Sequence, residues 1–223
     1  MLKIEENVPI RNLVTMRIGG PARFVITVTS KEEIPEAYQF AKERNLPVCV
    51  LGGGANTFAK DEGFDGVIIL DRIMGISEVE RPEVESFDGE SSNGKSSESG
   101  DIAYFKAYGG EQWDDLVTYV SERGYSGIEA MAGIPGTAGA APVQNIGAYG
   151  QEVTQVIVSV DAYDTKTCEF VVIPASEMKM SYRKSIFNSG ENVGRYFIYA
   201  TTVRVKKGQL TPPFYRSLQA YVD

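Results

Sequence analysis

Two glycine-rich segments contain the residues best suited to bind a phosphate group or an aromatic cofactor through the backbone. The longer segment spans residues 133–152, has glycines at positions 133, 136, 139, 147 and 150, and carries almost no charge. Pro135 and Pro142 interrupt any continuous helix or central strand within it. Since most of its side chains are too small to build a core, we expect it to expose backbone N–H groups to a ligand. The alternative is a structural loop without a ligand, although so long an uncharged run is uncommon without a function.

The shorter segment is Gly52-Gly53-Gly54-Ala55-Asn56, which directly follows the apolar run 48–51. In a Rossmann fold a helix follows the glycine turn. Here no helical apolar stripe follows, and the next predicted element is the strand 67–70. The loop therefore joins strand to strand, and a Rossmann fold is disfavoured. Taken alone, such a loop is equally well explained as a tight turn.

The chain contains no histidine, which restricts the proton chemistry available to it. Ser-His and Cys-His dyads and histidine-ligated zinc are excluded, and we predict no metal site. Proton transfer must come from Ser, Tyr, Lys, Asp, Glu or water. Of the two cysteines, Cys49 lies in an apolar run and is predicted to be a buried small hydrophobe. A disulfide with Cys168 is not expected in a reducing compartment.

The overall charge limits the partners. A formal net charge of -8 argues against nucleic acid or an anionic membrane as the main partner. No apolar run approaches the roughly 18 residues of a membrane span. The N-terminus is too acidic for a secretory signal. We expect a cytoplasmic protein, a monomer in preference to an oligomer, with a small-molecule substrate.

Hydrophobic periodicity predicts a strand–helix–strand unit over residues 24–51. Ser30 is the predicted N-cap of the helix, with Glu33 completing a capping box, and Asn45 ends the helix. The second strand, 48–51, is of the buried type. Such a unit is typical of parallel sheets.

The rest of the chain predicts a second group of elements. A helix over 112–123 places Trp113 in its core rather than on a cofactor ring. The strand pattern, mixed or antiparallel, falls on 103–107, 156–163, 169–173 and 196–205. The polar, Ser/Gly-rich stretch 80–101 cannot bury enough apolar area to order itself, so we predict a mobile surface loop between strands.

Four segments together resemble one family, UDP-N-acetylenolpyruvoylglucosamine reductase, also called UDP-N-acetylmuramate dehydrogenase. Its members are NADPH-dependent flavoenzymes of peptidoglycan precursor synthesis, and so serve cell-wall biogenesis, cell shape and division. The resemblance extends over essentially the whole chain. The segments are 15–22 (TMRIGGPA), 51–56 (LGGGAN), 134–152 (IPG through QNIGAYGQE) and 182–187 (YRKSIF).

The resemblance implies an α+β, non-Rossmann FAD-binding fold of the vanillyl-alcohol-oxidase type, which holds tightly bound FAD between two domains. The implied division is a first FAD-binding subdomain at 1–75, a second at 76–209, and the start of a substrate domain or its loop at 210–223. NADPH reduces the flavin in this family, and the hydride then passes to the enolpyruvyl double bond of a UDP-sugar.

The resemblance also implies a set of site residues. Arg183 corresponds to the active-site arginine, and a planar permanent cation suits a substrate carboxylate. Tyr182, Arg183 and Tyr215 correspond to substrate-binding positions. Without its motif Arg183 would be expected to form a surface salt bridge, and the motif reverses that expectation; Tyr215 is the least secure position. The cofactor-binding positions are Gly52, Gly53, Gly54, Ala55 and Asn56 for the pyrophosphate, and Gly133, Pro135, Gly136, Thr137, Gly139, Ala140, Pro142, Gln144, Asn145, Gly147, Ala148 and Ile198 for the rest of FAD.

The match to the family ends before its proton-donating serine and supporting glutamate, which lie in a third domain downstream of Tyr215. Ser185 does not occupy that serine's motif. We therefore expect an incomplete form that binds FAD without completing the reduction. The alternatives are a non-catalytic FAD-binding module and another flavin oxidoreductase of the same fold, and the 182–187 motif disfavours the latter.

Overall fold

The computed structural model of the chain describes residues 2–83, 102–209 and 215–219. Its first layer is a four-stranded sheet made of β1 Lys3–Pro9, β2 Pro21–Val28, β3 Val48–Leu51 and β4 Phe64–Asp71. The strand order is β1-β2-β4-β3. Strands β2 and β3 both run parallel to β4, and β1 is antiparallel to β2. The parallel sheet predicted from the strand–helix–strand pattern is confirmed.

Helix α1, Glu33–Glu43, connects β2 to β3 and packs on this sheet. Its buried Ile34 shares an apolar cluster with Ile26 of β2 and Ile69 of β4. The predicted end of the helix is confirmed, since Asn45 has a φ of 51°. This left-handed conformation is one that commonly follows the last helical turn.

The predicted N-cap at Ser30 is wrong. A turn over residues 31 and 32 precedes the helix, which begins only at Glu33. The Glu33 carboxylate accepts hydrogen bonds from the backbone N–H of Thr29 at 2.8 Å and from its hydroxyl at 3.0 Å. These bonds lower the pKa of the Glu33 carboxyl, the backbone bond most strongly. The Glu33 carboxylate thus accepts hydrogen bonds from a residue that precedes the helix, as in a capping box. The residue that it binds, however, is Thr29 and not the predicted N-cap Ser30.

Strand β3 is not of the buried type that its apolar sequence predicts. It lies at the edge of the sheet and pairs with β4. Val50 is 38% exposed, and the prediction of a buried Cys49 is also wrong because this residue is exposed. An edge strand has a neighbour on one side only, so sheet position overrides the local pattern.

The second layer is a six-stranded sheet. In chain order the remaining strands are β5 Ile76–Val79, β6 Ile102–Tyr108, β7 Tyr125–Ser126, β8 Gly147–Ala148, β9 Gln151–Glu152, β10 Ile157–Asp164, β11 Glu169–Pro174 and β12 Tyr196–Lys207. The sheet has the order β11-β10-β12-β6-β5 with β7 on β12, while β8 and β9 form a separate hairpin. Each pairing in it is antiparallel, one of the two patterns predicted.

Helix α2, Trp113–Glu122, covers this sheet and confirms the predicted helix. Trp113 is fully buried in an apolar cluster with Phe105 and Val203, and its indole N–H donates to Met131 O at 3.2 Å. It is therefore a core residue, as predicted. The glycine segment begins soon after this helix, so the helix provides it with a rigid base.

The two layers pack through one shared cluster, in which Ile26 and Ala37 of the first layer meet Phe197 and Tyr199 of the second. The predicted loop at 80–101 lies, from residue 84 on, outside the described residues. A short helix, α3 Arg216–Gln219, follows Tyr215. Of the helices in the described ranges, none has the length and apolar character needed to cross a membrane.

Candidate functional site

A groove runs between the two layers, and the glycine loop 52–56 lies at its centre. It consists of two adjoining lobes of about 290 Å³ and 390 Å³. We call them the first and the second lobe of the inter-layer groove. Both lobes are lined by Val50, Gly52, Thr137, Ala140 and Val143, so they form one continuous space.

The first lobe extends from the glycine loop along the second glycine segment, past Pro135, Gly136 and Gln144 to Ile146 and Asn188. The second lobe extends the other way. It is lined by Tyr38 and Val48 from the first layer and by Gly139, Tyr196 and Ile198 from the second. The glycine loop therefore borders the first lobe along its whole length and meets the second lobe at Gly52.

The glycine loop is shaped by close contacts rather than by flexibility. Gly54 has a φ of +65°, and a side chain there would collide with Leu13 O and lie 2.9 Å from the Val14 Cα. The N–H of Thr15 donates to Gly54 O at 3.1 Å. Residues 13–15 thus contact and support the glycine loop. This contact links the loop to the N-terminal segment that also carries the family resemblance.

The loop presents its donors to the groove. Within the described part of the chain, the backbone N–H groups of residues 53–56 have no hydrogen-bond acceptor. Consecutive unpaired N–H groups are a typical anion-binding arrangement. Near them, the side-chain amide of Asn56 donates to Gln144 Oε1 at 2.8 Å and joins the loop to the opposite wall.

Thr137 is the second sign of a ligand. It is 2% exposed and lines both lobes, and its hydroxyl has no hydrogen-bond partner among the described residues. The hydroxyl faces Gly52, where a Cβ atom would collide with it. A buried hydroxyl without a partner is costly unless a ligand or water satisfies it. Loop amides that face the first lobe, and a buried hydroxyl shared with the adjoining second lobe, fit a dinucleotide such as FAD.

The second glycine segment is fixed by backbone hydrogen bonds to the second layer. Gly139 N donates to Gly109 O at 3.1 Å, and Ala138 N donates to Glu111 O at 2.8 Å. A side chain at position 139 would approach Ile198 O to 2.7 Å. Glycine is required here for close approach of two backbones, and this places the segment against β12.

Arg183 lies beside the far end of that segment. Its guanidinium donates to Asn145 O at 3.2 Å and to Gly147 O at 2.9 Å, and lies 5.5 Å from the Tyr182 ring centroid. The residue is exposed and has a φ of 54°. A non-glycine residue in this conformation usually has a structural reason.

That reason is the network around Asn145, which is fully buried. Its side-chain NH₂ donates to Glu152 Oε2 at 2.9 Å and to Ser181 O at 3.1 Å, while Oδ1 accepts from Thr154 N at 3.0 Å. The side chain therefore joins the loop that carries Arg183 to the end of the glycine segment.

The predicted site residues divide into two groups. Twelve line the groove, namely Gly52, Gly53, Gly54, Ala55, Asn56, Pro135, Gly136, Thr137, Gly139, Ala140, Gln144 and Ile198. The others lie outside both lobes, namely Gly133, Pro142, Asn145, Gly147, Ala148, Tyr182, Arg183 and Tyr215. Tyr182 is 78% exposed. The Tyr215 ring centroid lies 5.9 Å from that of Tyr149, next to the same end of the glycine segment.

The groove also has lining residues that were not predicted, among them Tyr38, Val48, Asp71 and Tyr196 of the second lobe. Asp71 is the most informative of them. It is 3% exposed, and burial raises the pKa of its carboxyl to about 7. One sequence signal was available, since an acidic residue directly ends the apolar strand Val67-Ile68-Ile69-Leu70. The carboxyl ends of parallel strands are where ligands bind in open α/β sheets.

The fold and the groove are those of a flavoprotein: the chain belongs to the FAD binding domain family, whose model matches residues 22–172. Solved structures agree with this fold. The UDP-N-acetylenolpyruvylglucosamine reductase of Thermus caldophilus superposes with a TM-score of 0.68 at 23% identity, over 93% of this chain and 64% of that one. A cholesterol oxidase gives 0.55 at 15% identity, over 92% of this chain and 38% of that one. The predicted non-Rossmann, vanillyl-alcohol-oxidase-type fold is confirmed.

Curated relatives are similar to this chain at higher sequence identity than these solved structures. The chain is 39% identical over 181 residues to a UDP-N-acetylenolpyruvoylglucosamine reductase of Streptomyces avermitilis, which covers 81% of this chain and 44% of the relative. It is 34% identical over 219 residues to the reductase of Amoebophilus asiaticus, covering 98% and 59%. The chain thus spans about half the length of the curated relatives that it matches.

Proposed function

We propose that the inter-layer groove binds FAD with its pyrophosphate on the backbone N–H groups of residues 53–56. The observation that supports this proposal is the run of backbone amides along the first lobe, which have no acceptor among the described residues, next to a second lobe that begins at Gly52. FAD has the same layout, since its pyrophosphate separates a flavin half from an adenosine half. The buried Thr137 hydroxyl would donate to the same ligand.

We place the flavin half in the first lobe and the adenosine half in the second. The first lobe leads along Pro135 and Gln144 toward the carbonyls that hold Arg183. The second lobe is bounded by Tyr38 and Ile198, whose apolar surfaces suit a purine. Gly133, Pro142, Asn145, Gly147 and Ala148 would then support the flavin-binding wall without lining the groove.

We further propose that the chain provides the FAD-binding part of a UDP-N-acetylenolpyruvoylglucosamine reductase. Bound FAD would supply the redox chemistry, taking a hydride from NADPH and passing it to the enolpyruvyl double bond. Arg183 is exposed at the flavin end of the groove and permanently charged, so it can hold the substrate carboxylate. Tyr182 lies next to Arg183 and Tyr215 lies against Tyr149 at the same end of the glycine segment, so both would contact the UDP-sugar.

Ser185 does not supply the proton in this proposal. It is 1% exposed, and its hydroxyl donates to Val143 O at 2.6 Å and accepts from Phe187 N at 3.1 Å. A hydroxyl so committed holds the 182–187 loop in place. The proton must therefore come from another group.

We also propose that the subdomain boundaries lie near residues 75 and 209, and that the protein is a cytoplasmic monomer without nucleic-acid or membrane partners. Each boundary falls between elements, after β4 and after β12. The net charge of -8 supports the absence of anionic polymers as partners.

Flavin loading and reduction test the proposal. The purified chain with added FAD is expected to show a bound-flavin spectrum, and NADPH under anaerobic conditions is expected to bleach it. The enolpyruvyl UDP-sugar should then shift the spectrum of the oxidised protein, while UDP-N-acetylglucosamine, which lacks the carboxylate, should shift it less. A protein that takes up no FAD contradicts the proposed groove. A loaded protein that neither bleaches nor responds to the sugar contradicts the reductase assignment alone.

A further inference from the structure

The second lobe contains a buried acid, Asp71, at the carboxyl end of β4. Its Oδ1 accepts the N–H of Ile73 at 3.0 Å. Its Oδ2 packs against the backbone of Gly109, where any side chain would overlap it. Within the described residues, no donor is bonded to Oδ2. The carboxyl is therefore held by one oxygen, and the other borders a lobe in which FAD is proposed to bind.

The charges around Asp71 do not neutralise it. Arg72 is adjacent, but its guanidinium donates to Gly52 O at 3.1 Å and to the main-chain O of Asp71 at 2.6 Å. The Glu111 carboxylate is used by the N–H of Gly75 at 2.7 Å. Besides Asp71, the titratable residues that line the second lobe are Tyr38 on α1, Cys49 on β3 and Tyr196 on β12, and Tyr108 and Tyr199 pack in the adjoining apolar cluster.

Burial is the main reason that the pKa of Asp71 rises to about 7, and the Ile73 N–H and Arg72 oppose the rise. Burial raises the pKa of the phenols of Tyr38 and Tyr199 above 10, and it also raises the pKa of the Cys49 thiol, although that residue is exposed at the groove. Burial thus brings the pKa of Asp71 close to neutral pH, where the charge of this carboxyl can change.

We propose that Asp71 is a further ligand-binding residue, which donates a hydrogen bond as a neutral carboxylic acid to the adenosine half of FAD. Adenosine offers ring nitrogens and ribose oxygens as acceptors. A carboxylate at this place could accept from the amino group or a ribose hydroxyl, but it would be repelled by the negative charge of the nearby pyrophosphate, which favours the neutral acid. The bound state therefore keeps the proton on Oδ2, while Oδ1 keeps its bond from Ile73.

This inference rests on the proposed placement of FAD in the groove, and not on the reductase reaction. It has a thermodynamic consequence. Above the pKa of the free protein, binding must take up one proton, so the affinity for FAD falls as the pH rises. The limiting slope is about tenfold in Kd per pH unit. Below the pKa the affinity is independent of pH, and no group of FAD itself titrates between pH 6 and 8.5.

The test measures the Kd for FAD from flavin fluorescence between pH 6 and 8.5, for the wild type, Asp71→Asn and Asp65→Asn. The asparagine can still accept from Ile73 and donate from the place of Oδ2, so D71N should match the wild type at pH 6 and show no pH dependence. D65N removes an exposed charge outside the groove and should retain the wild-type slope. The melting temperature of FAD-free D71N should exceed that of the wild type at pH 8 and approach it near pH 4, which also shows that the variant folds.

Three outcomes are decisive. A wild-type Kd that does not change between pH 6 and 8.5, or a D71N variant with the wild-type slope, overturns the role of Asp71 while FAD binding stands. A D71N variant that binds FAD far more weakly than the wild type at pH 6 overturns the neutral-donor role as well. A wild type that binds no FAD at any pH overturns the placement of FAD itself.

Discussion

At the scale of single residues, the site depends on the close approach of the Gly52 backbone to the Thr137 side chain. Gly52 faces the unpartnered hydroxyl of Thr137, and a Cβ at position 52 would lie 3.5 Å from the Thr137 Cβ. The hydroxyl therefore occupies the space that any larger residue at position 52 would need. This makes the pair suitable for a double-mutant cycle.

We expect Gly52→Ala to destabilise the FAD-free protein by about 2 kcal/mol through overpacking. Thr137→Ala should cost little stability, because its hydroxyl has no partner to lose, and the double variant should recover most of the loss. Thr137→Ala should nevertheless weaken FAD binding by roughly fivefold to tenfold, the value of one hydrogen bond. Urea unfolding and flavin titration measure the two effects. Additive destabilisation in the double variant would contradict the contact.

Arg183 provides the second prediction at this scale. Lysine retains the charge but cannot donate to two carbonyls and a carboxylate with one planar fork. In the FAD-loaded protein, Arg183→Lys should weaken the spectral response to the enolpyruvyl sugar by about 10-fold or more, with FAD binding nearly unchanged. Lys184→Arg, at an exposed neighbouring position, is the control. An unchanged response in R183K would remove Arg183 from the substrate site.

At the scale of elements, an ion pair fixes the end of β10 to the start of β12. Arg195 Nε donates to Asp164 Oδ1 at 2.9 Å, and Nη2 donates to Oδ2 at 2.6 Å. Asp164 is 3% exposed, and its side-chain hydrogen bond from Arg195 holds the pKa of its carboxyl below the ordinary value. Bidentate pairs of this kind are stronger than single contacts on the surface.

The sign of the resulting pH dependence follows from the lowered pKa. The stabilisation is complete above the unfolded-state pKa of about 4 and is lost as the pH falls through the lower folded-state value. Asp164→Asn should therefore melt at a lower temperature than the wild type at pH 7, and this difference in melting temperature should become smaller below pH 4. Asp65→Asn breaks an exposed pair with Arg23 and should change little. A constant deficit of D164N at every pH would mean that packing, rather than charge, holds these strand ends.

The sequence predicts the helices, strands and turns better than it predicts which of them lie next to one another in the fold. The glycine loop, α2 and the end of α1 at Asn45 follow from local rules of turns and caps. Cys49 and Asp71 do not, because their environment depends on β3 lying at the sheet edge and on Gly109 approaching β4 from the second layer. The Ser30 cap is wrong by two residues, since the local pattern does not show that a turn precedes the helix. Of the site, the lining of the first lobe was predictable, whereas the second lobe is assembled from distant segments.

At the scale of the whole molecule, the groove lies between two layers that share one apolar cluster. A ligand that spans both lobes would contact residues from both layers, such as Val48 of the first and Ile198 of the second. Binding should therefore stabilise the protein as one unit rather than one layer alone. Because FAD would bind the folded state and not the unfolded state, its affinity would add to the thermal stability of the protein.

We expect FAD at about 100 times its Kd to stabilise the chain by roughly 2.7 kcal/mol. For a domain of this size, the melting temperature should rise by about 5–10 °C in a single transition. FMN, which lacks the adenosine half and reaches one lobe only, should give a smaller rise at equal concentration. Differential scanning calorimetry provides the measurement. An equal shift with FMN would place no part of the ligand in the second lobe.

Strand β3 has a consequence for the behaviour of the protein in solution. It is a short apolar edge strand, with Val50 and Cys49 exposed along the groove. Open strand edges are sites where chains associate with one another. A cofactor lying along this edge would act as its cover, so the protein without flavin should be the form that aggregates on storage. Flavin supply during expression would then determine how much protein is recovered, before any question of turnover arises.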